Sequence, residues 1–154
     1  MDQKGLRGSS AALIDPKGRL KVPATFRGVI QDQHGADVFV TSLTGESVRI
    51  YPMPVWREIE RKLSNMASTH PSRLKFLDRV NFYGQEGELD NQGRVVIPPH
   101  LRESASIIGE VRVFGRINHM QLWNAERFAQ RLQQGAWTDE DALLTDQILF
   151  PCDG

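Results

Sequence analysis

Asp15-Pro-Lys-Gly-Arg-Leu-Lys-Val-Pro-Ala-Thr-Phe-Arg27 occurs again, in altered form, as Asp90-Asn-Gln-Gly-Arg-Val-Val-Ile-Pro-Pro-His-Leu-Arg102, 75 residues further along the chain. Asp, Gly, Arg, Pro and the final Arg are identical in the two segments, and the apolar positions also match. Later in each half, Val48-Arg-Ile-Tyr51 corresponds to Met120-Gln-Leu-Trp123. A repeat of this length indicates that one structural unit occurs twice.

Each repeat opens with a segment typical of a type I β-turn. Residues 15–18 have Asp at the first position, Pro at the second and Gly at the fourth, and residues 90–93 keep the Asp and the Gly. We expect Asp15 and Asp90 to form these turns through their side chains and not to read bases. Gly18 and Gly93 are expected to supply the positive φ with which the chain enters the next strand.

Strands and helices alternate after the turns. Strands are predicted over 19–22, 36–42 and 47–51 in the first repeat and over 94–97, 110–116 and 119–123 in the second. Pro23 and Pro98 are each expected to begin a short helix, ending near Arg27 and Glu103.

Further helices are predicted beyond the strands. Residues 70–83 have apolar side chains on one helical side and are expected to form a packed connecting helix. Asn124 and Thr138 are suitable N-caps for two later helices. The pattern of large apolar residues predicts that three aromatic side chains belong to the core: Trp56, Trp123 and Phe128.

The composition indicates a folded chain of one domain or two small halves. Hydrophobic residues are 40% of the 154 residues and charged residues 25%. No apolar run approaches the roughly 20 residues needed to cross a bilayer, and the first residues lack the apolar core of a secretory signal. Cys152 is the only cysteine, which excludes an internal disulfide and a Cys-rich zinc site. We therefore expect a cytoplasmic protein without a membrane partner.

Motifs of enzyme active sites are missing from the sequence. The four histidines (His34, His70, His100 and His119) do not have metal-ligand spacing. There is no Gly-rich phosphate loop and no Gly-x-Ser-x-Gly motif, and Cys152 has no evident activating base. We predict no catalytic residue, no metal site and no cofactor.

The charge is unevenly distributed along the chain. The 19 Lys and Arg residues balance the 19 Asp and Glu residues, and a neutral total argues against a nucleic-acid-binding protein, since such proteins are usually basic. Residues 132–154, however, contain five acidic residues and no basic residue, so the preceding 131 residues have 19 basic and 14 acidic residues, a net charge of +5. A basic body joined to an acidic tail is compatible with DNA binding.

Four features of the sequence carry a resemblance to known proteins: Arg7-Gly8, the two Asp-x-x-x-Arg motifs, Ile50-Tyr-Pro-Met-Pro-Val-Trp56, and Gly115 through Leu122-Trp123. The repeat resembles the swapped-hairpin DNA-binding module of the AbrB/SpoVT type, and the chain over roughly residues 5 to 132 resembles the MraZ family of bacterial transcriptional regulators. This resemblance implies an α+β, β-rich fold in which two swapped-hairpin β-barrel repeats form a pseudo-dimer within one chain, with flanking helices. The expected parts are repeat 1 (9–55), a helical connection (56–83), repeat 2 (84–127), and a C-terminal helix with an acidic tail (128–154).

The resemblance also implies a function. It implies a sequence-specific regulator that binds short tandem repeats of double-stranded DNA in the promoter of a cell-division and cell-wall gene cluster, as a repressor of its own operon. It further implies a ring-like homo-oligomer associated with the nucleoid.

The residues expected to contact DNA lie just after the two turns. Arg19 and Arg94 directly follow the turn glycines, and Lys17 and Lys21 add positive charge to the first copy, which we expect to be the principal contact. A surface ion pair between Arg19 and Asp15 is the alternative interpretation of Arg19. Two further arginines, Arg27 and Arg102, suit either DNA contact or a structural role at the ends of their helices.

An interaction module without DNA binding is the alternative of a different class. It would be a ring-forming scaffold or an antitoxin-like module that binds a partner protein. The segment after residue 132 combines acidic residues with the apolar side chains Leu143, Leu144, Ile148 and Leu149. This segment is expected either to pack on its own subunit, to dock on a neighbour, or to compete with DNA for the basic turns.

Overall fold

The computed structural model describes residues 5–150, apart from the side chains of Gln33 and His34, and contains eight strands and six helices within that range. Cys152 and the end of the acidic tail lie outside the described residues.

The first repeat consists of β1 (Ser9–Leu13), β2 (Arg19–Lys21), α1 (Ala24–His34), β3 (Asp37–Thr41), β4 (Val48–Pro52) and α2 (Met53–Ser64). The helix α3 (Pro71–Tyr83) connects the repeats. The second repeat consists of β5 (Gln85–Glu88), β6 (Arg94–Val96), α4 (Pro99–Ala105), β7 (Glu110–Gly115), β8 (Met120–Asn124) and α5 (Ala125–Gln134), and is followed by α6 (Asp139–Leu149). The predicted α+β class, with two repeats and flanking helices, is confirmed.

The two repeats share one antiparallel sheet of six strands in the order β1-β7-β8-β4-β3-β5. The first strand of each repeat pairs with a strand of the other repeat, β1 with β7 and β5 with β3. At the centre, β4 pairs with β8 with Val48 opposite Leu122 and Ile50 opposite Met120. Val48 corresponds to Met120 in the two repeats, and Ile50 corresponds to Leu122. Exchange of the repeats therefore converts one of these pairs into the other, so the sheet has an approximate twofold axis between β4 and β8.

Alternation of side chains along the strands divides the core into two layers. Val38 and Val40 of β3 are buried in the larger cluster, together with the inward residues of β2, β6, α1 and α4. Phe39, between them, faces the other side of the sheet, where its ring centroid lies 4.7 Å from that of Trp56 on α2. The sheet therefore has β2, β6, α1 and α4 on one face and α2, α3 and α5 on the other.

The aromatic residues predicted for the core pack at corresponding places of the two repeats. Trp56 and Trp123 are each 5% exposed. Phe128 is half-buried and lies with its ring centroid 5.5 Å from that of Trp123 and 4.2 Å from that of Phe114. These side chains attach α2 and α5 to the outer face of the sheet.

Two helices are longer than the sequence predicts. α1 continues beyond Arg27 to His34, because Phe26 and Ile30 share a side that is buried in the core. α4 continues to Ala105, which is fully buried, and the left-handed Ser106 ends it. The strands β1 and β5 are not apparent from the sequence, since their side chains are small or polar (Ser-Ser-Ala-Ala-Leu and Gln-Glu-Gly-Glu).

The predicted helix caps are present. The side chain of Asn124 accepts a hydrogen bond of 3.0 Å from the backbone N–H of Arg127, and Thr138 accepts one of 3.0 Å from that of Asp141. The carboxylate of Asp141 in turn accepts from the backbone N–H of Thr138, so the two residues form a capping box. Over residues 5–150, no helix is long and apolar enough to span a membrane.

Candidate nucleic-acid interface

The two predicted turns have the same hydrogen bonds. In the first, Asp15 Oδ1 accepts 2.9 Å bonds from the backbone N–H groups of Lys17 and Arg19, and the Gly18 N–H donates to the Asp15 carbonyl. In the second, Asp90 Oδ1 accepts 2.9 Å bonds from the N–H groups of Gln92 and Arg94. Both aspartates therefore act as turn-forming residues.

Each aspartate also fixes the arginine that follows its turn. Arg19 Nε donates to Asp15 Oδ2 at 2.7 Å, and Arg94 Nε donates to Asp90 Oδ2 at 2.8 Å. These bonds use one of the five N–H donors of each guanidinium. Among the described residues, the terminal nitrogens of both groups have no further hydrogen-bond partner. The ion pair considered as an alternative for Arg19 thus exists, and it leaves the outer donors of the guanidinium available.

The backbone N–H of Arg19 is the largest influence on the carboxyl of Asp15, and with the guanidinium it holds the pKa of Asp15 below the usual 3.8. The backbone N–H and guanidinium of Arg94 lower the pKa of Asp90 in the same way. Burial acts in the opposite direction at both sites but is the weaker effect. Both carboxylates are therefore ionised at neutral pH and hold their arginines as charged pairs.

The strands after the turns pair with each other and bring both repeats to one surface. β2 and β6 form a two-stranded antiparallel ribbon with Leu20 opposite Val95, both buried. The neighbouring residues must then point outward. Arg19 lies opposite Val96 and Lys21 opposite Arg94, so three cations and one valine make up the outer face of this ribbon.

The turns add unequal charge to this face. Lys17 of the first turn is exposed, and the corresponding residue of the second turn is the neutral Gln92. Likewise, Lys21 corresponds to Val96, which is 46% exposed. The ribbon surface, defined as the outer face of β2 and β6 with their two turns, is therefore more basic on the side of the first repeat.

Arg27 and Arg102 each pack against the turn of the opposite repeat. Arg27 Nη2 donates to the carbonyl of Asn91 in the second turn at 2.9 Å, whereas Arg102 Nε donates at 3.0 Å to the carbonyl of Ile97 in its own repeat. The guanidinium of Arg102 also covers Gly18, where an added Cβ would lie 2.5 Å from Cζ. Since α1 continues to His34, Arg27 lies in its first turn, and the expected stabilisation of a cation at the end of this helix does not apply to it. Arg102 does lie in the last turn of α4.

The position of Val96 and the crossed packing of Arg27 and Arg102 are not predicted by the sequence. The alternation of Val95 and Val96 could have placed Val96 on the same side as Arg94. The crossed packing depends on the pairing between repeats, for which the sequence has no local signal.

Other polar groups of the described residues do not form a metal site, since no three His, Cys, Asp or Glu side chains come together there. His119 stacks on Tyr51 with ring centroids 4.4 Å apart, and its Nδ1 lies 2.8 Å from Asn118 Oδ1. Burial is the main cause that lowers the pKa of His119 to about 4, and the charges of Arg49 and Arg116 add to it.

Comparison with known proteins also gives two segments along the chain. The family model described as "MraZ protein, putative antitoxin-like" matches residues 6–79 and 84–147, one segment for each repeat. The chain belongs to the MraZ family. It is 44% identical over 135 residues to the transcriptional regulator MraZ of Acidobacterium capsulatum, with 88% of this chain and 92% of the relative aligned.

Other MraZ proteins are similar over the same extent. Identity to the transcriptional regulator MraZ of Koribacter versatilis is 45% over 136 residues, again with 88% of this chain and 92% of the relative aligned. For that of Shewanella frigidimarina it is 35% over 144 residues, covering 93% of this chain and 91% of the relative. The MraZ family consists of transcriptional regulators and is not an enzyme family.

Proposed function

We propose that this protein is a sequence-specific DNA-binding transcriptional regulator and that its ribbon surface contacts double-stranded DNA. The observation that carries the proposal is the convergence of four cations from both repeats on one small face: Lys17, Arg19, Lys21 and Arg94. Two turn carboxylates accompany them, and both are engaged with backbone N–H groups and arginines. The names of the MraZ relatives support the same function.

The geometry suits base reading by arginine. A two-stranded antiparallel ribbon fits the major groove of B-DNA, and an arginine can donate two parallel hydrogen bonds to O6 and N7 of guanine. Because Nε of Arg19 and of Arg94 is already held by an aspartate, each side chain loses less conformational entropy when its terminal nitrogens meet a base. We assign base contacts to Arg19 and Arg94 for this reason.

The lysines have a different role. Lys17 and Lys21 are exposed, and an ammonium group binds phosphate as a point charge without selecting a base. They make the first repeat the stronger contact with the DNA backbone. Arg27 and Arg102 act indirectly, by packing on the turns of the opposite repeat.

One ribbon spans few base pairs, so useful affinity requires several copies of the chain on adjacent sites. We therefore extend the proposal to a ring-like homo-oligomer that binds short tandem repeats in the promoter of a cell-division and cell-wall gene cluster, repressing its own operon. Linking several weak contacts in one assembly raises the overall affinity by orders of magnitude when the spacing fits. Localisation to the cytoplasm, on the nucleoid, follows from this role.

The second candidate function is a scaffold or antitoxin-like module that binds a partner protein without DNA. The exposed apolar side chains of α6 favour a protein contact of some kind. This candidate does not explain why the cations of both repeats converge on the ribbon surface, and DNA binding is the better account.

Footprinting of the full chain on the DNA upstream of its own gene tests the proposal. We expect protection of regularly spaced short repeats, with affinity that falls steeply as salt rises because bound phosphates release counterions. Inserting half a helical turn between repeats should weaken binding more than mutating one repeat. Equal affinity for scrambled DNA of the same composition would contradict sequence-specific binding, and the absence of any DNA binding would favour the scaffold candidate.

A further inference from the structure

The helix α6 has an apolar surface that its own chain leaves exposed. Leu143, Leu144 and Ile148 are 60%, 51% and 77% exposed, and no residue of α6 is buried. An isolated helix of 11 residues is marginal in water, even with a capping box, because helix formation needs tertiary packing to offset the cost of nucleation. The expectation that α6 packs on its own subunit is therefore wrong for these side chains, and another surface must cover them.

A groove on α3 combines an exposed aromatic side chain with a net positive charge, which complements the apolar and acidic surface of α6. It has a volume of about 330 Å³ and is lined by Lys75, Asp78, Arg79, Phe82 and Tyr83. Phe82 is 70% exposed, and Leu74 on the same helix is 49% exposed. Lys75, Arg79 and Phe82 are spaced so that they share one side of the helix. An exposed aromatic ring thus lies beside two cations and the carboxylate of Asp78, and these three charged side chains give the groove a net charge of +1.

We propose that α6 of one copy docks in the α3 groove of a second copy. The apolar side chains Leu144 and Ile148 would cover Phe82, and the acidic residues of α6 would face Lys75 and Arg79. This inference rests on the self-association in the proposed function and names its interface. When each copy gives its α6 to the next copy, the contact is heterologous, and it closes into a ring when the rotation between copies divides a full turn evenly.

A second copy suits α6 better than DNA or an unrelated partner. The first turn of α6 has Asp139, Glu140 and Asp141, Asp146 follows, and the helix has no basic residue. DNA phosphates would repel this helix, whereas the rest of the same chain is basic. Both members of the complementary pair also occur in every copy, so no other protein is needed to cover either surface.

Molar mass in solution, measured by light scattering on the full chain, tests the interface. The variant Leu144→Glu/Ile148→Glu and the variant Lys75→Glu/Arg79→Glu should each lose the assembly and elute with the mass of a single chain. The control Gln31→Glu/Gln130→Glu adds two acidic residues elsewhere and should keep the wild-type mass. Unchanged circular dichroism shows that the variants are folded.

Reversal of the charges on α6 and in the α3 groove gives a second test of the interface. The variant Asp139→Lys/Asp146→Lys should fail to assemble alone and should assemble when combined in one chain with Lys75→Glu/Arg79→Glu. Wild-type mass in both single-surface variants, or no recovery in the combined variant, would overturn the docking. A wild-type chain that is monomeric at all concentrations would refute the self-association itself. Binding of the same samples to a single DNA site is a separate measurement. We expect it to follow the change in net charge, so that it falls for the variants that add negative charge, rises for Asp139→Lys/Asp146→Lys, and equals that of the wild type for the combined variant.

Discussion

Arg27 in the first repeat lies over Gly93 in the turn of the second, so close that a Cβ added to Gly93 would be 2.5 Å from Arg27 Cδ. Arg102 lies over Gly18 in the same manner. Each repeat thus supplies the arginine that packs on the turn of the other. The two turns are part of the ribbon surface, so the shape of this surface depends on both repeats being present in one folded unit.

Substitution of a turn glycine should destabilise the protein. Gly18 and Gly93 have φ of 81° and 73°, where an L-residue costs about 1–2 kcal/mol, and a methyl group would also displace the overlying arginine. We expect Gly93→Ala to lower the free energy of unfolding by about 2 kcal/mol in urea titrations. Gly28→Ala is the matched control, since Gly28 lies within α1 with no atom near its missing Cβ, and it should be neutral or stabilising by up to about 1 kcal/mol. Equal stability of the two variants would contradict the packing described for Gly93.

The stability of the fold should depend on pH through His119. Its pKa is lowered from 6.5 to about 4 in the folded chain, so between these values the unfolded chain binds a proton that the folded chain does not. The free energy of unfolding should therefore decrease as pH falls from about 6.5 to 4, by at most about 3 kcal/mol. In His119→Gln, urea titrations across this range should show a flatter dependence on pH than those of the wild type. An identical slope in His119→Gln and wild type would refute the assignment.

The greater positive charge of the first repeat should affect the salt dependence of DNA binding. Lys17→Gln/Lys21→Val gives the first repeat the residues of the second. If both lysines contact phosphates, the slope of log affinity against log salt concentration should become shallower by about 2. Arg57→Ala/Lys62→Ala removes the same charge from α2 and should leave the slope nearly unchanged, and Val96→Lys should steepen it by about 1. Equal effects of the ribbon and α2 variants would mean that only total charge matters.

The repeat, the turns and the connecting helix could be predicted because their signals are local. An Asp and a Gly at fixed positions determine each turn, and His70-Pro71 marks the start of α3, which the structure has as Pro71–Tyr83. The strands β1 and β5 could not be predicted, since Ser-Ser-Ala-Ala-Leu and Gln-Glu-Gly-Glu form strands only through pairing with the opposite repeat.

The ribbon surface was predictable in its residues but not in its arrangement. Arg19 and Arg94 are evident from the repeated motif, yet 75 positions separate them in the sequence. Only the register of β2 with β6 brings them to one face and places Val96 opposite Arg19. The end of α1 was missed for a similar reason: Gly28 weakens the helical pattern, and burial of Ile30 beneath the sheet outweighs it.

The affinity of Arg19 and Arg94 variants for DNA from the upstream region of the protein's own gene tests whether these two arginines contact DNA bases. At fixed salt, Arg19→Ala/Arg94→Ala should weaken binding by about 100-fold or more, since each base-reading arginine contributes about 1–3 kcal/mol. Arg19→Lys/Arg94→Lys, which keeps the charge but not the planar fork, should retain binding to scrambled DNA and lose the preference for the specific site. Affinity and preference equal to those of the wild type, in variants with unchanged circular dichroism, would contradict the account.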